Sequence, residues 1–337
     1  MQIKGIEFAP AFVPLVRRYE TLAAFVWTYI ILFGPITGWS VLLYVIIDTR
    51  YTWLGIAYLL WICIDRPVGC STTLRYPFVR KLVTWTHLKN YFPVSLVKTH
   101  DLPADKSYIF ATYPHGVFSY GALINFGTDA NQFSELFPGL KTFIISLGFH
   151  FIMPFIREIA IGVGIKESSE KCLINILDGE KGNVAVLIVG GVSEAFKSYP
   201  GKYRIILKRR RGFVRVALKT GASLVPVFSF GETNLFGAYE AEPNSFWGKV
   251  MKSIKWKGDN VIPIGRGLFQ YSFGIIPRRR PIVTVVGKPI DLPKIANPKD
   301  EDVDKYHQIF TTELNNLFEE HKTKYAKNPG EMELTDL

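Results

Sequence analysis

Two short segments carry residue types suited to proton transfer. Tyr113-Pro114-His115-Gly116 follows the strand-like run 107–112, in which polar and apolar residues alternate as in a half-buried strand. Pro114 fixes φ and Gly116 permits positive φ, so the chain must turn sharply at His115. A strand that ends in a rigid turn holds one imidazole at the rim of a sheet, where α/β proteins place their sites. Histidine's ordinary pKa suits proton abstraction near neutrality. Taken alone, the tetrapeptide reads more simply as a capped turn histidine. The second segment is Gly190-Gly191-Val192-Ser193-Glu194, at the end of the apolar run 184–189. Gly190 and Gly191 allow a tight turn or close approach to a ligand. Glu194 then occupies the same kind of position as His115 on a neighbouring element, where a carboxylate can fix an imidazole's tautomer. Without His115, it would read as a glycine turn ending in a solvated glutamate.

Other chemistries fit less well. Gly191-Val192-Ser193-Glu194-Ala195 lacks the final glycine of a nucleophile elbow. Gly162-Val163-Gly164 lacks the third glycine of a dinucleotide fingerprint, no phosphate-binding Walker sequence occurs, and the six His and three Cys show no metal-ligand spacing. The densest basic segment holds Arg204, Lys208, Arg209, Arg210, Arg211, Arg215 and Lys219. Such a run is most often a solvated face, and next an RNA-binding patch. It also leads into a helix opening at Gly212, where phosphates can be held by side chains and a helix N-terminus. Coenzyme A carries several phosphate charges, which makes Arg209, Arg210, Arg211 and Arg215 candidates for its head. Arg278-Arg279-Arg280, next to the apolar segment 269–277, reads better as a membrane-surface contact.

The elements that must position these residues follow from hydropathy. Among 337 residues 48% are hydrophobic and Lys plus Arg outnumber acids 40 to 29, a net charge of +11. A mean hydropathy of +0.15 is high for a water-soluble chain and predicts a membrane segment. Residues 21–47 carry no charge, and about 20 apolar residues suffice to span a bilayer. Asp48-Thr49-Arg50 interrupts, and a shorter apolar limb covers 53–64. Gly34-Pro35 should break the first limb near its middle. A signal peptide would be shorter and would not continue into a second limb. Arg17 and Arg18 before the hairpin, and Arg66, Arg75, Arg80 and Lys81 after it, predict that both ends face the cytosol. Cys63, Cys70 and Cys172 are too few and scattered for a disulfide framework, which suits a reducing compartment.

The expected organisation is a segment 1–20, a membrane hairpin 21–65, one catalytic domain 66–325 and a tail 326–337. Strand-like runs at 142–147, 184–189, 224–230 and 282–286 alternate with helix-like runs at 171–177 and 212–219, and a last helix is expected over 301–324. This alternation predicts an α/β domain built on a mixed, mostly parallel sheet flanked by helices.

Together these residues resemble the type-2 family of acyl-CoA:diacylglycerol acyltransferases, with its monoacylglycerol and wax-alcohol relatives. Tyr113-Pro114-His115-Gly116 matches the family tetrapeptide, and Gly190, Gly191 and Glu194 match a second motif. A third, longer motif is met at Arg210, Gly212, Phe213, Arg215, Ala217, Gly221, Leu224, Val225, Pro226, Phe230, Gly231 and Glu232. Shorter matches are Tyr91-Phe92-Pro93, Met153-Pro154 with Arg157-Glu158, Gly265-Arg266-Gly267 and Val285-Val286-Gly287-Lys288-Pro289. Two departures matter. Tyr120 stands where the wider glycerolipid acyltransferase superfamily has the Asp of its His-x4-Asp pair, and an apolar lipid-binding motif of some relatives is not evident in 29–35. The resemblance implies a glycerolipid-acyltransferase-like fold and acyl transfer to a neutral-lipid hydroxyl, preferably diacylglycerol, with monoacylglycerol or a long-chain alcohol as alternatives. It implies His115 as base with Glu194 orienting its ring. It also implies no metal and no cofactor, acyl-CoA being a substrate, and no nucleic-acid partner. The expected place is the endoplasmic reticulum membrane with the catalytic domain facing the cytosol, and lipid droplets. Relatives are often homo-oligomers. A non-catalytic lipid-binding protein would share the hairpin and basic patches but gives no reason for His115 and Glu194 on glycine turns.

Overall fold

The computed structural model describes residues 2–3, 5–10, 12–74, 76–242, 244–253, 261–326 and 330–335; Arg75 of the expected basic flank lies outside them. A short antiparallel pairing of Gln2–Ile3 with Ile6–Glu7 precedes the helices α1 (Leu15–Asp48), α2 (Thr52–Ile64) and α3 (Val83–Tyr91). The α/β unit then runs β1 (Val94–Lys98), β2 (Tyr108–Tyr113), β3 (Lys141–Ser146), α4 (Ile156–Gly162), β4 (Ile165–Glu167), α5 (Glu170–Leu177) and β5 (Asn183–Ile188). It continues through α6 (Gly191–Ala195), β6 (Tyr203–Ile206), α7 (Gly212–Thr220), β7 (Ser223–Phe230), β8 (Ile282–Val286), α8 (Asp300–Tyr325) and β9 (Met332–Thr335).

Seven strands form one sheet in the order β1-β8-β7-β2-β5-β3-β4. All its pairs are parallel except β8 with β7. The mixed, mostly parallel sheet is therefore as expected. Strand β2, read above as half-buried, is buried at all six positions. It lies between β5 and β7, and the sheet is covered on both faces, which the continuous apolar run Tyr108-Ile109-Phe110-Ala111 suits better than an alternating pattern would. One face packs under α3 and the first half of α1, and the other under α5, α7 and α8. Within residues 326–337, strand β9 pairs with β6 in parallel.

Helix α1 runs unbroken for 34 residues, with Pro35 inside it, so the expected break at Gly34-Pro35 does not occur. A helix in lipid keeps its backbone bonded and tolerates proline where neighbours compensate. Gly34 instead receives Ile156, whose Cδ1 would lie 2.7 Å from an added Cβ. α1 and α2 form a hairpin closed by Thr52 Oγ1 donating to the Ile46 carbonyl at 2.9 Å. α1 and the stretch Thr52–Cys70 that opens with α2 are long and apolar enough to cross a membrane, and α1 keeps most of its apolar surface exposed, which supports association with a membrane.

The hairpin is not a detached stalk. Thr28 of α1 is buried and shares a 2.7 Å hydroxyl hydrogen bond with Tyr120. Glu20 pairs with Arg279 at 2.5 Å, and Arg157 bridges Asp65, just past α2, and Glu158 at 2.8 Å each. Arg80, counted above among cytosolic flanking charges, is buried: it binds the carbonyls of Phe126 and Thr142 and pairs with Asp129. Cys70 and Cys172, expected above to belong to no disulfide framework, are joined in a disulfide between residues 102 apart in sequence, so cysteine usage does not argue for a reducing compartment here.

Gly38 lets α1 rest on the Pro154 carbonyl oxygen, which a Cβ would overlap. Gly38→Ala is expected to destabilise this docking by ~1–3 kcal/mol, as over-packing generally does. Thermal unfolding in detergent would register it as a lowered midpoint.

Candidate active site

Strand β2 delivers the chain to the turn 113–119 at the C-terminal edge of the sheet. The Tyr113–Pro114 peptide is cis, and both Gly116 and Ser119 have positive φ, +59° and +54°. The turn closes on the His115 carbonyl, which accepts from the Ser119 N–H at 3.1 Å and the Ser119 hydroxyl at 2.8 Å. His115 Nδ1 lies 3.1 Å from the Gly116 carbonyl oxygen. That contact is attractive only if Nδ1 carries the proton, so Nε2 is left with its lone pair. Burial lowers the imidazole pKa below its ordinary value, against the opposing pull of the Gly116 carbonyl. The ring is thus held neutral, in the tautomer a general base needs.

Strand β5 delivers Glu194 to the same edge, as expected, but its task differs from the expected one. Its Oε1 accepts the backbone N–H of His115 at 2.5 Å and its Oε2 that of Ile206 at 2.8 Å. The carboxylate therefore holds the main chain of the turn rather than the ring. A partner with two oxygens facing two orphan N–H groups satisfies both, and at 2% exposure no water replaces it. Gly190 is required because a Cβ there would strike the Glu194 carboxylate. Gly191 sits at φ +62°, opening the one-turn helix α6 that carries Glu194.

A second carboxylate, Glu232, has the same role at the other end of the turn. The resemblance placed it in a motif without assigning it a task. Its Oε1 and Oε2 accept the N–H groups of Tyr120 and Gly121, both at 2.8 Å, and it is 1% exposed. Gly116 packs on its stem, with an added Cβ 2.6 Å from Glu232 Cγ. The only sequence signal was a glutamate just after an apolar strand and Gly231. Tyr120 itself turns its hydroxyl away to Thr28, so no side chain at position 120 reaches the imidazole in the manner of an aspartate.

The basic segment divides. Arg211 pairs with Asp304 at 2.5 Å and Arg215 with Asp300 at 2.6 Å, both at the start of α8, while Arg209 is exposed. Arg210 reaches back to the site: its Nη2 donates to the Gly190 carbonyl at 3.3 Å, and its buried Nε has no partner among the described residues. Of the apolar residues after the turn, Tyr120, Leu123 and Phe126 are in the core, leaving Val117 and Phe118 to face outward in part. The one grouping of three potential metal-ligating atoms among the described residues is Cys70, Glu167 and Cys172, two of which are consumed in the disulfide.

Comparison with known proteins gives this geometry its context. The family model described as diacylglycerol acyltransferase matches residues 44–335. The chain belongs to the diacylglycerol acyltransferase family. Diacylglycerol O-acyltransferase 2 of Dictyostelium discoideum is 38% identical over 98% of this chain and 99% of its own. Bovine 2-acylglycerol O-acyltransferase 1 is 39% identical over 95% and 96%, and human acyl-CoA wax alcohol acyltransferase 2 is 36% identical over 91% and 93%. Among solved structures, the 1-acyl-sn-glycerophosphate acyltransferase PlsC of Thermotoga maritima aligns with 93% of this chain and 97% of its own at 15% identity and a TM-score of 0.43. This family member is thus an acyltransferase, with His115 and two buried carboxylates at the C-terminal edge of its sheet.

Burial raises Glu194 and Glu232 each to about 7, opposed by the backbone N–H bonds they accept. Folded values above the unfolded ones mean that the native acyltransferase binds more protons between them. The stability these groups contribute is present below the unfolded value and lost as pH rises through about 7. Between about pH 5 and about pH 8, the wild-type melting temperature should therefore fall more steeply than that of Glu194→Gln or Glu232→Gln. Identical slopes would remove the titration from these two residues.

Proposed function

We propose that this acyltransferase moves a fatty acyl group from acyl-CoA to the free hydroxyl of diacylglycerol, giving triacylglycerol. The observation that carries the reaction is the state of His115: Nδ1 faces the Gly116 carbonyl, so Nε2 is available as base on a turn that two carboxylates hold rigid. Nε2 takes the hydroxyl proton as the oxygen attacks the thioester carbonyl. The tetrahedral intermediate then expels the CoA sulfur, which receives that proton, and the ester remains. The N–H groups of His115, Tyr120 and Gly121 are occupied by Glu194 and Glu232. Those of Gly116 and Val117 make no hydrogen bond among the described residues and are our candidates for the oxyanion. Val117 and Phe118 border the turn with apolar surface, which favours a glyceride over a phosphate-bearing acceptor, since an unpaired buried phosphate is heavily penalised.

A second reading keeps the chemistry and changes the acceptor to monoacylglycerol or a long-chain alcohol, because relatives named for those acceptors are about as similar as the one named for diacylglycerol. The location we infer is the endoplasmic reticulum membrane and lipid droplets, with the catalytic unit in the cytosol beside Arg17, Arg18, Arg66 and Lys81, which are exposed.

In a competition assay with labelled oleoyl-CoA, we expect diacylglycerol to be the preferred acceptor and lysophosphatidic acid to give almost no product. His115→Ala should lower turnover by more than ~100-fold, the range of a placed general base. Preference for lysophosphatidic acid would overturn the acceptor reading, and near-normal turnover by His115→Ala the mechanism.

For the coenzyme, Arg210 is the best placed of the four arginines, being turned to the site with a donor unmet, while Arg211 and Arg215 already meet acids. Arg210→Gln should raise the acyl-CoA KM about tenfold, in line with a lost charged hydrogen bond, and Arg215→Gln by much less. An acyl-CoA KM unchanged in Arg210→Gln would return this segment to a solvated face.

A further inference from the structure

Of the arginine-rich segment 278–280, read above as a membrane-surface contact, Arg279 is turned inward to Glu20 and the Tyr91 ring, and it is the apolar stretch before it that builds an exposed feature. Residues 264–276 form a loop whose main chain folds back on itself: Arg266 and Ile276 exchange backbone hydrogen bonds, and the Gly267 N–H donates to the Gln270 carbonyl at 3.0 Å. Gln270 locks the tip from inside. Its side-chain oxygen accepts from the Ser272 and Phe273 N–H groups, and its amide nitrogen donates to the Phe273 carbonyl. The Arg266 guanidinium lies over the Tyr271 ring, 4.2 Å from its centroid. The result is a fixed turn that presents Phe269 and Phe273 outward, 78% and 53% exposed. Two phenylalanines held in water by a rigid turn are costly unless something apolar covers them.

The neighbours of this tip identify the cover. The N-terminal segment docks on it, Ala9 N–H donating to the Phe269 carbonyl and Tyr271 N–H to the Glu7 carbonyl, each at 2.8 Å. From Ala9 the chain passes through Phe12, 98% exposed, into the start of α1, whose first turns expose Leu15 and Val16. Arg279, just past the base of the loop, pairs with Glu20 in the first turns of α1, so the loop emerges at the end of α1 that carries Arg17 and Arg18, both exposed, as residues at an anionic lipid surface should be. Its base, Ile276, belongs to the same apolar cluster as Phe236, against which Val117 and Phe118 of the catalytic turn pack.

We propose that the loop 266–274 is a second membrane-contacting element, which seats Phe269 and Phe273 in the interfacial layer of the leaflet that receives the start of α1. It holds the His115 turn at a set distance from the bilayer, where a lipid acceptor arrives. The inference rests on α1 lying in the membrane, and the test separates the two. The full-length protein is reconstituted in phosphatidylcholine–phosphatidylserine vesicles with p-benzoylphenylalanine in place of Phe269, Phe273, Leu32 on the exposed face of α1, or Glu180 in an exposed loop. All four side chains are exposed or nearly so, and an unchanged melting temperature verifies the fold of each variant. After irradiation, positions 269 and 273 should form lipid adducts at a yield comparable to position 32 and many times that at 180. Adducts at 32 with only the 180 level at 269 and 273 would overturn the proposal. Cross-links to a second copy of the chain in place of lipid would do so as well. Absence of lipid adducts at every position would overturn the membrane reading, and this inference with it.

Discussion

A main chain that leaves the centre of a parallel sheet to form a tight turn strands its N–H groups in a dry place. Strand β2 has neighbours on both sides up to Tyr113, and beyond it the donors of His115, Tyr120 and Gly121 have no ladder to join. Glu194 and Glu232 supply the acceptors, one at each end of the turn. Leaving such a donor unmet costs ~1–3 kcal/mol, so the two carboxylates are conditions for the turn to exist. The glycines follow from the same constraint. Gly190 clears the way for the Glu194 carboxylate, and Gly116 and Gly121 lie against Glu232. The imidazole is positioned through its backbone and its own neighbouring carbonyl, and its Nε2 has no hydrogen-bond partner among the described residues.

The membrane helix is tied to this turn. Tyr120 follows the turn directly, donates its N–H to the Glu232 carboxylate, and bonds α1 through Thr28. Small residues on that face of α1, Ala23 and Ala24, bring it close to Trp85 and the core. Further along, Gly34 and Gly38 fit against the segment 154–156. A helix that must meet lipid on one side and protein on the other shows small residues toward the protein and large ones outward, as α1 does. Its position thereby bears on the catalytic turn through one buried hydroxyl pair.

Charge is distributed by task. Arg157, almost fully buried, is balanced by Asp65 and Glu158 and anchors the end of the hairpin, and Arg80 ties the start of the catalytic unit to the core. Removing one partner from such a buried pair strands the other charge. Arg211 and Arg215 serve the packing of α7 on α8 at exposed positions, where ion pairs contribute little. Arg210 turns back to the glutamate turn.

The local chemistry of the chain was legible in its residues. Mostly apolar runs marked the hairpin and placed the sheet strands to within a residue or two at 282–286 and 224–230, because burial on both faces favours apolar residues throughout. Pro114, Gly116, Gly190 and Gly191 marked two sharp turns after strands, since few other residues allow such backbones. Partnership was not legible. That Glu194 bonds the His115 main chain and that Glu232, after β7, bonds Tyr120 and Gly121 were set by the sheet order, and that Thr28 meets Tyr120 across 92 residues and Cys70 meets Cys172 across 102 by the packing of helices and turns on that sheet. Sequence spacing carries no record of such approaches, because strands adjacent in the sheet are joined by crossovers of variable length. The same holds for Pro35, whose cost to a helix depends on what surrounds it, and for Arg80, whose charge looks alike in solvent and in a core until its acceptors are in place.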